Sequence, residues 1–263
     1  MEEQPNFKTA TYWLLRGVIA VYDSDYQKAI ECCEKALALE PDNAAAYYSI
    51  GNVYSAWNKQ YEKAIEYFEK AIKLKPDFAD AYHSMGFAYQ IWNKQYDKAI
   101  ECYQKMIELE PDENHAYFSI GLIYQDGKKD YQKAVEYYQK SIQLKPDSVT
   151  VYKSMGICYA LLGRQYEKAM ECYQKVIELE PDDAWTYLAM GKTYSDWNEQ
   201  YEKAIEWYQK AIELEPDYAD AYFAMGLVYD KSGDRNQAIE YCKKAAELED
   251  VDAKYWLLDN NIE

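Results

Sequence analysis

Few of the 263 residues carry side chains suited to chemistry at neutral pH. There are two histidines, His83 and His115, and Asp80 precedes the first by one helical turn. Two imidazoles and a carboxylate would begin a metal site, but such a site needs about three or four well-placed ligands. They are expected to be polar features of a binding groove. The six cysteines, Cys32, Cys33, Cys102, Cys158, Cys172 and Cys242, match no zinc-ribbon or zinc-finger spacing. No Ser-His-Asp or Cys-His arrangement and no glycine-rich phosphate loop stands out. The expectation is a binding protein and not an enzyme, with no catalytic residue, metal or cofactor.

A repeat must position these residues. YYSIGNVY (47–54), YHSMGFAY (82–89), YFSIGLIY (117–124) and YKSMGICY (152–159) recur every 35 residues. Pro-Asp pairs follow the same interval, at Pro41, Pro76, Pro111, Pro146, Pro181 and Pro216. Each unit reads as two helices; in the unit starting at Pro76 they are predicted at about 79–91 and 96–109. Proline stops the preceding helix, since it lacks an N–H and disfavours helix in the residue before it. The Asp after it is expected to cap the next helix. WNKQY, DGKKDY and LGRQY supply the turns inside the units. Tyr82, Met85, Gly86 and Tyr89 share one helical stripe, with Gly86 allowing close approach of the facing Ala99, Tyr103 and Met106. One helix pair cannot bury both its faces, so neighbours must stack. Cys32, Cys102 and Cys172 share one position, two repeats apart, too far for a disulfide, whose Cα atoms lie within roughly 7 Å. The cysteines read as small core residues in a reducing compartment.

Tyr47, Ile50-Gly51, Tyr54, Ala64, Phe68, Ala71 and Pro76, with the same constellation in later units, resemble the tetratricopeptide repeat. The resemblance covers nearly the whole chain. It implies an all-α fold: a right-handed superhelical α-solenoid of seven helix-turn-helix repeats. As one domain over 1–263, the repeats lie at about 7–40, 41–75, 76–110, 111–145, 146–180, 181–215 and 216–249. A capping helix at about 251–260 is expected to pack Tyr255, Trp256 and Leu258 on the last repeat. The period departs from the usual 34 by one residue, placed in the turn as in Asn58-Lys59-Gln60, and the seventh unit lacks it. Counting back by 35 puts Arg16 where other units have glycine, which predicts a looser first pair. A 35-residue period also invites comparison with RNA-reading pentatricopeptide repeats, but Gly-x-x-Tyr, Ala and Pro follow the tetratricopeptide pattern.

The net charge of −17, from 46 acids and 29 bases, also disfavours nucleic acid and anionic membranes as partners. The acids interleave with lysines, as in Glu66–Lys70 and Glu69–Lys73, a pattern of solvated helix faces. No apolar run is long enough for a membrane span. MEEQPNFK is no secretory signal, so a cytoplasmic protein is expected.

The resemblance further implies that each first helix lines a concave groove, at slots spaced by 3, 4 and 3. In the first unit these are Ala10, Trp13, Gly17 and Ala20. The groove residues singled out are Tyr48 and Asn52; Asp80, His83, Phe87 and Gln90; His115, Phe118, Leu122 and Gln125; Lys153 and Ile157; Trp185 and Lys192. Aromatic and aliphatic anchors with a few polar groups suit an extended peptide or an amphipathic helix of a partner protein. Ser49, Ser84, Ser119 and Ser154 form a ladder beside them. In some relatives Asn at that slot holds a peptide backbone. One subfamily clamps a C-terminal carboxylate with Lys-Asn, Asn and Lys-Arg. Here only Asn52 fits, with Tyr48, Ser84, His115 and Ser119 at other clamp slots, so the set is absent. Lys153 and Lys192 leave room for an acidic motif.

TYWLLRGVIAVY (11–22) carries a single charge, and solenoid ends normally present a polar face. Leu14, Val18 and Val21 are therefore expected to mediate homo-oligomer formation or docking. The alternatives to a groove receptor are a structural spacer acting through its ends, and a duplicated or engineered array without an evolved ligand.

Overall fold

The computed structural model describes residues 9–57, 59–92, 94–163, 165–197 and 199–262. MEEQPNFK and the turn residue Asn58 lie outside the described residues. The chain packs as two compact units, 1–128 and 129–263.

The first unit contains α1 (Ala10–Tyr22), α2 (Tyr26–Leu39), α3 (Ala44–Ala56), α4 (Tyr61–Leu74), α5 (Ala79–Ile91), α6 (Tyr96–Leu109) and α7 (Asn114–Leu122). A π-helical turn, Ile123–Gly127, extends α7. The second contains α8 (Tyr131–Leu144), α9 (Val149–Leu161), α10 (Tyr166–Leu179), α11 (Ala184–Asp196), α12 (Tyr201–Leu214), α13 (Ala219–Ser232), α14 (Arg235–Glu247) and α15 (Val251–Asp259). The described residues form no strand. The fold is an α-solenoid, and the pair predicted at 79–91 and 96–109 is α5 and α6.

Pro-Asp works one step earlier than expected. The pair occupies the middle of a tight turn, closed by Asn43 N donating to the Glu40 carbonyl at 3.1 Å and by Phe78 N to that of Lys75, also at 3.1 Å. Proline's fixed φ suits the second position of such a turn. The N-cap is then the residue after the Asp: Asn43, Glu113 and Asp183 accept from the first-turn backbone, whereas Phe78, Ser148 and Tyr218 make no side-chain cap.

Eight residues beyond each of these N-caps lies the repeat's glycine. In α1 the N-cap is Thr9, which makes Gly17 that glycine and not Arg16. An added Cβ at Gly17 would stand 3.3 Å from the Ala29 carbonyl, as one at Gly51 would stand 3.1 Å from that of Ala64. The first pair is therefore closed like the others. The turns explain the shift. Gln60 N and Gln95 N reach back six residues, to the carbonyls of Tyr54 and Tyr89. Asp25 N and Asp234 N reach back only five, to Ala20 and Tyr229. The first repeat, like the seventh, lacks the extra residue. In the longer turns Lys59, Lys94, Lys129 and Glu199 take positive φ.

Second-helix rings fill the space the glycines leave. Phe68, Tyr103, Tyr173 and Tyr208 are fully buried, with Ala99 and Met106 beside Tyr103. Burying such a ring stabilises by about 1.5–3 kcal/mol, which no single pair achieves on both faces. Stacking supplies the rest. Val53 joins Ala20, Ala29 and Ile30 in one buried cluster, and Ala46 joins Ala10 and Ala36. The same register on α1 holds Tyr12 and Ile19; with Leu15 (62% exposed) and Tyr22 they form an exposed apolar stripe.

The capping helix α15 turns differently from expectation. Ala253 is buried, while Tyr255 and Leu258 are 63% and 70% exposed. Trp256 lies under Arg235, 4.7 Å from its guanidinium carbon. Among the surface lysines, Lys70 sits 4.5 Å from the Tyr67 ring. No helix among the described residues is long and apolar enough to cross a membrane.

Candidate functional site

With the recurrent stripe turned inward, the other face of each first helix is left to its variable residues. In the first unit, Tyr48 and Asn52 on α3 are half-buried. The Tyr48 ring lies 4.9 Å from Phe78, and its hydroxyl accepts from Ser84 at 3.4 Å. On α5, Asp80 is exposed, Phe87 is 45% exposed and Gln90 is half-buried. The Tyr103 hydroxyl donates to Gln90 Oε1 at 3.2 Å. His83 is half-buried with its ring 5.6 Å from Tyr103. Burial holds its pKa below the ordinary value, the His115 charge adds to this, and Asp80 and Glu113 oppose it. His115 is exposed and Phe118 half-buried. Gln90 and Leu122 line a cavity of about 210 Å³ that Tyr96 and Gly127 also border. Gln125 is buried inside the π-helical turn, which the sequence reading did not foresee.

In the second unit the fold gathers Ile157, Ala160, Trp185, Leu188 and Lys192 around one cavity of about 190 Å³. Lys192 is exposed there. Lys153 is not available in the same way. Its ammonium pairs with Asp183 at 2.7 Å and sits 5.3 Å from the Trp185 ring. Asp183 is also the N-cap of α11, so a helix terminus holds Lys153 in place.

Three first-unit expectations change. Ala10, Gly17 and Ala20 are core, because the register of the first repeat is one residue shorter. Counted from Thr9, the slots fall at Leu14, Val18 and Val21, the residues assigned to end docking; Val18 is exposed and the other two are half-buried. The serine ladder is engaged inside the fold. Ser49 donates to the Ala45 carbonyl at 2.8 Å, Ser84 to Tyr48, and Ser119 shares a hydrogen bond with Tyr103, while Ser154 is buried.

No group of three or more His, Cys, Asp or Glu among the described residues could hold a metal ion. The six cysteines are buried and form no disulfide among the described residues. Burial pushes the thiols of Cys33, Cys102, Cys172 and Cys242 up to about 12, so they stay protonated and weakly nucleophilic at neutral pH.

Stacked helix pairs closed by glycine against a buried ring define a class of repeat protein, and sequence comparison agrees. A tetratricopeptide repeat model matches residues 8–77 and 77–147, a second matches 219–252, and a TPR repeat model matches 165–196 and 198–233. The chain belongs to the tetratricopeptide repeat family. Among solved structures it is similar to YrrB, described as a TPR protein with an unusual peptide-binding site. That match has 26% identity and a TM-score of 0.62, covering 73% of this chain and 96% of that one. It is similar to MamA at 30% identity and a TM-score of 0.57, covering 65% and 98%. The C-terminal part of a TPR repeat-containing protein from Cytophaga hutchinsonii shares the fold, with 21% identity, a TM-score of 0.76 and coverage of 91% and 97%. No curated protein matches the chain.

Proposed function

We propose that this protein is an interaction scaffold, its seven repeats acting as one array that holds a segment of a partner protein on the first-helix slots. The observation that carries this reading is the second-unit cavity, where Ile157, Trp185 and Leu188 supply apolar walls and Lys192 a cation. Such a site suits a peptide with one apolar anchor beside a carboxylate. The similarity to YrrB, whose description names a peptide-binding site, supports it. The −17 charge argues against nucleic acid. Six buried cysteines that form no disulfide among the described residues support a reducing compartment such as the cytoplasm.

A peptide-display screen tests the reading on three proteins: wild type, Phe87→Ala with Phe118→Ala, and Ile157→Ala with Lys192→Ala. Enriched peptides that carry an acidic group and are lost in the second-unit variant are expected. Enrichment unchanged in both variants would refute binding at these slots.

One observation favours a second reading, docking through the end. The α1 stripe of Tyr12, Leu15, Ile19 and Tyr22 is exposed. If two copies associate there, Leu15→Glu lowers the mass measured by light scattering. Equal monomer masses for both proteins would remove this reading.

A further inference from the structure

Three repeats fill the space beside the tyrosines of their first helix with a ring from their second. In repeat 2, the Tyr67 ring lies 6.4 Å from Tyr47 and 5.4 Å from Tyr54. In repeat 7, Tyr241 lies 6.3 Å from Tyr222 and 5.4 Å from Tyr229. In repeat 6, Trp207 stacks on Tyr187 at 5.9 Å. Repeats 3 and 5 keep both tyrosines, Tyr82 with Tyr89 and Tyr152 with Tyr159, but carry Cys102 and Cys172 where the ring should be; at the positions of Met170 and Met190, repeat 3 and its neighbour have Ile100 and Ile120.

A thiol does not fill the volume of a phenol or an indole, and the structure shows the difference. Tyr152, Tyr159 and Cys172 line a cavity of about 960 Å³, together with Met155, Met170 and Met190. It shares no residue with the second-unit cavity described above. Gln139 Nε2 donates to the Tyr159 hydroxyl at 3.1 Å and fixes that wall. Lys168 lies over the Tyr159 ring, 5.4 Å from its centre. Methionines adapt their shape and make favourable contacts with aromatic rings. Offset-stacked rings attract beyond simple burial.

We propose that this slot is a binding site for one aromatic side chain, tryptophan or tyrosine, of a partner protein. The argument for that occupant is internal. The equivalent position holds such a side chain in four other repeats, and in repeats 2, 6 and 7 it lies against the same tyrosines. Binding is non-covalent stacking, and the protonated Cys172 thiol serves as the small floor that leaves the room.

The test uses the full chain with 13C-labelled methionine methyls and N-acetyl-tryptophan amide as probe. The methyls of Met155, Met170 and Met190 are expected to shift, while that of Met225, in a repeat whose slot Tyr241 fills, stays. Cys172→Ala retains the response. Cys172→Tyr supplies the missing ring from within and weakens binding by about tenfold or more. Three outcomes would overturn the proposal: no shift at millimolar probe, an equal response to N-acetyl-leucine amide, or an undiminished response in folded Cys172→Tyr. A response to free indole without one to the amide would also overturn it, because a free small molecule would then be the occupant. If Cys172→Tyr fails to fold, the wild-type methyl map and the leucine control still decide.

Discussion

Helix α9 has two faces with different fates. One carries Gly156, which faces the Tyr173 ring of the second helix, and the buried Tyr159. The other carries Lys153 and Ile157, both partly exposed. Position for position, the first face recurs along the chain and the second does not. Residues that recur touch residues that recur, so any change must be matched across a packed contact. The open face has no such constraint, and function can vary there.

The largest expected break in this contrast is Tyr173→Ala. It empties the space opposite Gly156 and should cost about 3–5 kcal/mol, read as a lower urea midpoint. Gly156→Ala sets two effects against each other. Alanine favours helix by about 1 kcal/mol. Its Cβ would stand 2.5 Å from the Tyr173 ring, which is buried and cannot swing away. Overpacking of this kind costs about 1–3 kcal/mol, so after the helix gain a net loss of about 1 kcal/mol is expected. An unchanged or raised midpoint would mean the ring can give way.

On the open face, Ile157→Ala with Lys192→Ala should shift stability by no more than about 0.5 kcal/mol per site. The same variant should lose the enriched peptides. A loss of stability like that of Gly156→Ala would erase the distinction between the faces.

His83 sharpens the comparison through pH. Its folded pKa lies below the ordinary 6.5, chiefly because of burial. The unfolded chain therefore binds that proton more readily, and stability rises with pH across the window. The contribution is complete above about 6.5 and is lost as pH falls toward the folded value. Urea midpoints taken between about pH 5 and 7.5 should fall with acid in wild type and fall less in His83→Gln. Equal slopes would show that the imidazole is solvated in the folded protein. The smallest effect belongs to the surface ion pairs. Lys105–Glu108, paired at 2.5 Å on an exposed turn, should leave the midpoint unchanged when Lys105 becomes Ala.

The slot at Cys172 extends the same reasoning. Cys32, Cys102 and Cys172, two repeats apart, read correctly from the sequence as small buried residues. The signal of a vacancy was also present, because the same position holds Tyr67, Tyr137, Trp207 and Tyr241 in other repeats. Recognising it required knowing that those rings stack on first-helix tyrosines, which spacing alone does not show.

Periodicity determined much of this protein by itself. The pairs, their boundaries and the glycine-to-ring contacts follow from a 35-residue interval and a helical period, because both are local and repeat. Tertiary structure decided the rest. A one-residue difference in turn length moved the first repeat's register from Arg16 to Gly17. Packing turned Tyr255 and Leu258 of α15 outward, and an N-cap carboxylate claimed Lys153. Each depends on where a neighbouring element places its backbone, and a side chain's own position in the sequence carries no record of that.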